Sequence, residues 1–263
     1  MVGNSVARDF FFQALSGLCQ LPRDRGAEMG CKRSATGCPL GCAAFNISGT
    51  FAFSNSLGPP LPGYLYHDAD ACPQPVEDCT RSLLAASREG DALVFLHGLS
   101  LAWEAKHMTA GVGAPPQQQP LGPAGLGPQL LPSERLAFEG LVAQAGAAWR
   151  GTVQRAWRGS PGHVFRLRLA PWSLGNTSFD HGQDRAFLGA AAGLLGAVNE
   201  GLDAAFAGAG WGTVDQWGVN GALHEDAGGN RAHYADFVHY EGEPHDAALN
   251  IVLTGLCGAP SAG

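Results

Sequence analysis

Charge is scarce in this chain. Only 16 basic and 23 acidic residues stand among 263, giving a net charge of −7. The basic residues form no run, which argues against an electrostatic grip on nucleic acid and favours a neutral substrate such as a glycan or an ester. Long apolar stretches are also missing. None approaches the roughly 20 residues that cross a bilayer, so no membrane segment is read. Met1-Val2 leads straight into a polar turn, with no basic start and no apolar segment, so no signal peptide opens the chain. No G-x-x-x-x-G-K-[ST] phosphate loop, dinucleotide fingerprint, H-E-x-x-H or C-x-x-C occurs, and the nucleotide and zinc-protease chemistries they serve are not expected.

What is present is a chain that is 45% hydrophobic with a mean hydropathy near zero, long enough for one α/β domain over 1–263. Thirty-eight glycines and 17 prolines imply long loops. Of the seven cysteines, several lie in Gly/Pro-rich sequence, as disulfide cysteines do. An oxidising compartment is favoured. Zinc is the rival reading, against which Cys31, Cys38 and Cys42 have unusual ligand spacing. The odd count leaves one thiol free or paired outside this chain.

The residues at 1–5 read as the end of a strand entering a turn. From Val6 the apolar positions Val6, Phe10, Ala14 and Leu18 recur at helical spacing. Residues 22–42 read as a loop, followed by short strands at Ala43–Ile47 and Thr50–Phe53. A helix is predicted near 76–88, and the apolar run Asp91–His97, stopped by Gly98, is a buried strand. Residues 111–132 are low-complexity and read as a surface insertion. Ser133 is expected to cap a helix with Phe138, Leu141, Val142, Ala145 and Trp149 inward. His163–Leu169 is a strand in which Phe165, Leu167 and Leu169 alternate with Arg166 and Arg168. A helix near 183–207 turns Phe187, Ala191, Leu194, Leu195, Val198 and Leu202 inward. A short strand near 213–217 and a helix from about Pro244 to Cys257 complete the order. Strands alternating with helices predict a mostly parallel sheet covered on both faces, a three-layer α/β/α domain.

Two motifs carry the chemistry. In Gly3-Asn4-Ser5-Val6-Ala7-Arg8, a serine stands at a strand-to-helix junction, where backbone N–H groups and the helix dipole favour negative charge. Taken alone, Ser5 reads more readily as a helix N-cap than as a nucleophile. In Asp236-Phe-Val-His239, the spacing places both side chains on one side of a turn. There a histidine can accept a serine's proton and a carboxylate can orient the imidazole.

Together the motifs resemble the SGNH/GDSL hydrolase superfamily, with G-x-S after the first strand and D-x-x-H before the last helix. The pattern is closest to its PC-esterase branch, which includes trichome-birefringence-like and Cas1-type O-acetyltransferases. That branch opens with G-D-S, two residues and Arg, matched here through Arg8. Asp91–Gly98, Val164–Pro171, and Asp236-Phe-Val-His239 with Gly242, Pro244 and Leu249-Asn250 match its later blocks. The resemblance implies an acyl-enzyme on Ser5, His239 as base and Asp236 as its orienting acid. Oxyanion donors are expected from Ser5, Gly98 or His97, and substrate contacts from Arg8 and Trp172. No metal or organic cofactor is implied. The partners would be an acetyl donor or ester and a carbohydrate acceptor, in the Golgi lumen or outside the cell. The alternative is a non-catalytic member of the fold that binds glycans or serves a structural role.

Two departures stand out. The aspartate of G-D-S is Asn4 here, and only Met1 and Val2 precede Gly3, so a truncated first strand and a fragment of a longer protein are expected. The histidines at 224–245, with Glu225, Asp226 and Asp236, lack metal-ligand spacing and read as solvated. Asn46-Ile-Ser48 and Asn176-Thr-Ser178 are glycosylation sequons.

Overall fold

A computed structural model describes residues 1–22, 38–43, 46–53, 76–99, 101–102, 132–173, 185–222, 233–236 and 238–258. The insertion predicted over 111–132, apart from Pro132, which opens a helix, lies outside the described residues, as do Cys31, Cys72, Trp103, the Asn176 sequon, His224, Glu225, Asp226 and the side chains of Cys79 and Phe187.

The described strands form one sheet in the order β2-β3-β1-β4-β5-β6. They are β1 (Val2–Gly3), β2 (Cys38–Cys42), β3 (Ile47–Phe53), β4 (Leu93–Leu96), β5 (Val164–Leu167) and β6 (Gly212–Val214). Every pairing is parallel except the β2–β3 hairpin at one edge. The helices are α1 (Ser5–Cys19), α2 (Val76–Ala85), α3 (Pro132–Ala156), α4 (Arg185–Phe206), α5 (Gln216–Gly221) and α6 (Glu243–Gly258). Helix α1 packs against α6 on one face of the sheet, and α3 against α4 on the other, which is the three-layer arrangement expected.

Register explains the two cores. Gly3, Leu96, Leu167 and Val214 are aligned across neighbouring strands and share the α1/α6 face. Phe11 meets Phe51 on that face at 5.7 Å between ring centroids. Phe95, aligned with Val2 and Arg166, points the other way and touches Trp149 of α3 and Phe206 of α4. On α4, Ala191, Leu195, Val198 and Leu202 are buried as the helical period predicts.

Several boundaries and faces differ from the expectation. The first edge strand lies at Cys38–Cys42, within the predicted loop, and not at Ala43–Ile47. Cys42 pairs with Ile47, and just before that partner Asn46 adopts a positive φ of 52° that asparagine tolerates. Ser133 lies inside α3, one residue after Pro132, whose missing N–H suits a first turn. Arg166, expected to alternate outward, is 1% exposed. Parallel strands are covered on both faces, so a polar residue at an alternating position is buried too. Arg166 is ion-paired with Asp203, and its Nη2 donates to Asn199 Oδ1 at 3.0 Å. Burial lowers its pKa to about 10, with Asp203 opposing that fall.

Cys19 and Cys42 form a disulfide that fastens the end of α1 to the hairpin, Cys38 is also disulfide-bonded, and Cys257 is a free, exposed thiol. Among the described residues no helix is long and apolar enough to cross a membrane.

Candidate active site

Strand β1 lies between β3 and β4, and the chain leaves it into α1 on one face while β4 is followed by α3 on the other. In open α/β sheets the crevice at the carboxyl ends of strands, where the connections part, is where ligands bind. Ser5 stands there, two residues beyond the Gly3–Leu96 pair. Gly3 is required by close approach: a Cβ at this position would stand 2.4 Å from Ala7 Cβ and 2.7 Å from the Leu96 carbonyl oxygen. The first turn of α1 can therefore lie directly against β4.

Asn4, not Ser5, caps the helix. Its Oδ1 accepts from the N–H groups of Val6 at 3.0 Å and Ala7 at 3.4 Å. With the cap supplied by its neighbour, Ser5 is the first helical residue, and its hydroxyl lies 2.8 Å from His239 Nε2. The other ring nitrogen, Nδ1, is 2.6 Å from Asp236 Oδ2. Asp236 Oδ1 accepts from the backbone N–H groups of Val238 at 2.8 Å and His239 at 2.7 Å, so both carboxylate oxygens are engaged within one turn.

The turn that carries Asp236 and His239 is pinned at several points. Backbone bonds join Ala235 N–H to the His239 carbonyl at 2.8 Å and Glu241 N–H to the His233 carbonyl at 2.8 Å. The Tyr234 hydroxyl donates to the Pro171 carbonyl beyond β5. Gly242 N–H donates to Gln13 Oε1 of α1 at 3.2 Å. His245 of α6 lies 2.7 Å through Nε2 from the Tyr240 carbonyl and stacks on the Tyr240 ring at 4.7 Å. Gly242 was named with the last motif, and His245 was read as solvated but is buried; Tyr234 and Gln13 were not singled out. A trace of Gln13 was legible, since Ser5, Asp9 and Gln13 recur at i, i+4 and i+8 on α1.

The electrostatics follow from this packing. Burial opposes the charged imidazole, but the hydrogen bond and charge of Asp236, joined by Asp9, prevail against it and against Arg8, and hold His239 above its ordinary value. Burial also pushes the Asp236 carboxyl up. The His239 hydrogen bond and charge, and the two backbone N–H groups, outweigh that and leave it below the usual carboxylate range.

The other predicted site residues fall in different places. Gly98 follows β4, two residues past Leu96, and so emerges beside Ser5 at the same end of the sheet. Its φ is +106°, and a Cβ there would meet Val198 Cγ1 at 2.6 Å. Arg8 lies one turn after Ser5 on α1, buried and paired with Asp9 at 2.9 Å. His97 corrects the expectation of an oxyanion donor. It is 2% exposed on the α3/α4 face, its ring 4.5 Å from that of Trp149, with no hydrogen-bond partner for either nitrogen among the described residues. Burial first, and the nearby Arg166 second, lower its pKa to about 3. Trp172, expected to line a cleft, is buried within the apolar core.

Neither a protein-family model nor a curated protein matches this chain. Among solved structures it is similar to phospholipase A1 from Streptomyces albidoflavus NA297, at 15% identity and a TM-score of 0.51, over 96% of this chain and 96% of that one. The extracellular lipase from Streptomyces rimosus aligns at 15% identity and a TM-score of 0.49, over 95% of this chain and 96% of that one. At such identity the likeness to the phospholipase bears on the fold, which is shared along nearly the whole chain.

Proposed function

We propose that this chain is a serine-dependent acyl-transfer enzyme of the SGNH/GDSL superfamily, with Ser5 as nucleophile, His239 as general base and Asp236 as the acid that orients it. The observation that carries the reading is the continuous hydrogen-bonded series from Ser5 Oγ through His239 to Asp236. A serine hydroxyl needs such a base to attack a carbonyl, and a raised imidazole pKa suits a group that takes the proton and returns it to the leaving oxygen. The Ser5 N–H, which Asn4 does not occupy, and the Gly98 N–H are the proposed oxyanion donors.

In the first half-reaction Ser5 Oγ forms a bond to the acyl carbon, the alcohol oxygen leaves, and His239 carries the proton from one to the other. In the second, water or a sugar hydroxyl attacks the acyl-enzyme, and the Ser5 oxygen is released. Ester hydrolysis is the general expectation, in keeping with the fold shared with a phospholipase. The PC-esterase-like motifs point further, to acetyl groups and a carbohydrate acceptor in the secretory pathway or outside the cell. Arg8, within one turn of Ser5, is a proposed substrate-side charge.

Turnover of a chromogenic acetyl ester tests this, alongside Ser5→Ala and His239→Ala. Each variant is expected to lose about 10³-fold or more of kcat. Turnover that persists in a folded Ser5→Ala protein would overturn the assignment. A folded wild-type protein that neither hydrolyses the ester, transfers acetyl to an oligosaccharide, nor is labelled at Ser5 by a serine-directed phosphonate would support the non-catalytic alternative.

A further inference from the structure

Asn46, with Ser48 two residues on, occupies the turn between β2 and β3, and we infer that this turn is an acceptor site for an N-linked oligosaccharide. Asn46, Ile47 and Ser48 satisfy the acceptor triplet, in which the residue after asparagine is not proline. Triplets of this kind arise by chance, so the argument rests on where this one lies. Asn46 is exposed in a tight turn, its N–H donating to the Ala43 carbonyl at 3.3 Å and its φ at 52°. Ser48 is exposed as well, on the outer face of β3, whereas Gly49 and Phe51 pack against Phe11 and the α1 layer. Both groups that define the acceptor thus lie on the exposed surface of the described residues.

The surroundings fit the compartment in which such transfer takes place. Cys42, four residues before Asn46, is disulfide-bonded to Cys19, and Cys38 on the same strand is disulfide-bonded too, so this hairpin is built under oxidising conditions. Among the described strands β2 lies at the sheet's edge, and an edge invites pairing with another chain. Pro39 already blunts it by removing one N–H donor. A glycan at the hairpin tip would add a hydrated steric screen at that edge.

The site also lies away from Ser5. Strand β3 runs parallel to β1 with Ala52 beside Val2, so Asn46 lies at the amino-terminal end of the sheet. At about 3.3 Å per residue it is roughly 20 Å below the level of that pair.

The donor is an oligosaccharide joined through its anomeric carbon to the diphosphate of a polyisoprenoid lipid. The Asn46 amide nitrogen forms a bond to that carbon, the bond from the carbon to the phosphate oxygen breaks, and the lipid diphosphate departs with the electron pair. The amide proton passes to a base of the transferase.

The test directs the full chain into the secretory pathway of a eukaryotic cell and treats both secreted and retained protein with peptide N-glycosidase in heavy-oxygen water. The expected result is a mobility shift on treatment, with the peptide containing residue 46 gaining a heavy-oxygen aspartate. Reading the peptide separates this site from Asn176. Ser48→Ala and Asn46→Gly should each abolish the label, the latter variant retaining freedom for the positive φ, while Ser48→Thr should keep it. Because transfer precedes folding, the retained pool reports on variants that fold poorly. A disulfide-bonded wild-type chain with unmodified Asn46, or a label that survives Ser48→Ala, would overturn the inference. Both results are independent of whether Ser5 is a nucleophile.

Discussion

Asn4 stands where the resembling family has an aspartate, and the structure gives its side chain a definite task. A polar residue before the serine takes two backbone donors of α1 and leaves the serine hydroxyl to the histidine. Asn4→Ala should lower stability by about 1 kcal/mol, the usual cost of a lost cap, while Asn4→Asp should remain within about 0.5 kcal/mol of the native chain in urea unfolding. If the alanine variant is as stable as the native protein, the cap is dispensable. The serine partners also predict a pH profile. General-base action needs neutral His239, whose pKa lies above 6.5, so kcat/KM should rise with pH to a midpoint above that value. In Asp236→Asn the hydrogen-bonded carboxylate that raises the histidine is gone. The midpoint should move to lower pH and the plateau should fall by about 10⁴-fold. An unmoved midpoint in the residual activity would separate Asp236 from the base. At this scale the hydrogen-bonded series of Ser5, His239 and Asp236 was legible because their residue types and spacing match the chemistry proposed for them. His97 and Trp172 were misread, because nothing local distinguishes a histidine or tryptophan at an open cleft from one packed in the core.

Elements hold these residues in register. The turn over 233–241 is tied to the segment after β5 by Tyr234, to α1 by Gln13 and to α6 by His245, so three elements share the positioning of one imidazole. Tyr234→Phe keeps the ring packing at Tyr240, 5.5 Å away, and removes the bond to the Pro171 carbonyl. We expect kcat on an acetyl ester to fall about tenfold with KM little changed, because a small misplacement of a catalytic group raises the barrier more than it weakens binding. A change confined to KM would place Tyr234 in substrate binding instead. Helix periodicity was readable on α4, which buries Ala191, Leu195, Val198 and Leu202, whereas α1 is buried on nearly every side from Val6 to Phe12, Arg8 and Asp9 included. The hairpin was misplaced by several residues because β2, Cys38-Pro-Leu-Gly-Cys42, is a short edge strand with little β-propensity. It is held by pairing with β3 and by the Cys19–Cys42 disulfide, which spans 23 residues, and residue propensity registers neither.

Across the whole molecule, both faces of the sheet are covered, and the α3/α4 layer encloses polar groups as well as apolar ones. Asn199 Oδ1 accepts from Leu169 N–H at 2.8 Å and its Nδ2 donates to the Leu169 carbonyl at 2.9 Å, tying the chain beyond β5 to α4. His97 in the same layer carries a folded-state pKa of about 3 against 6.5 for the free group. The unfolded chain therefore binds this proton more readily. Above pH 6.5 the group has no effect, and as pH falls from 6.5 towards 3 it removes stability at about 1.4 kcal/mol per pH unit. Relative to the native chain, His97→Leu should gain stability over that range, as read from urea unfolding at a series of pH values. A difference that stays constant with pH would mean that His97 is not held neutral. Arg166, close enough to depress that pKa, should be spared by the substitution, since its partners are Asp203 and Asn199.

The sequence by itself determined the class of fold and the identity of the hydrogen-bonded residues at the proposed catalytic centre. Periodic burial and residue chemistry are local properties, written in spacings of two, three and four. The cap at Asn4 is local too, its donors lying two and three residues on. Only the tertiary structure decided that Arg166 and His97 face inward, and that Tyr234, Gln13 and His245 clamp the turn. These depend on which strand stands beside which and in what register, and side chains far apart in sequence acquire partners only when the sheet is assembled.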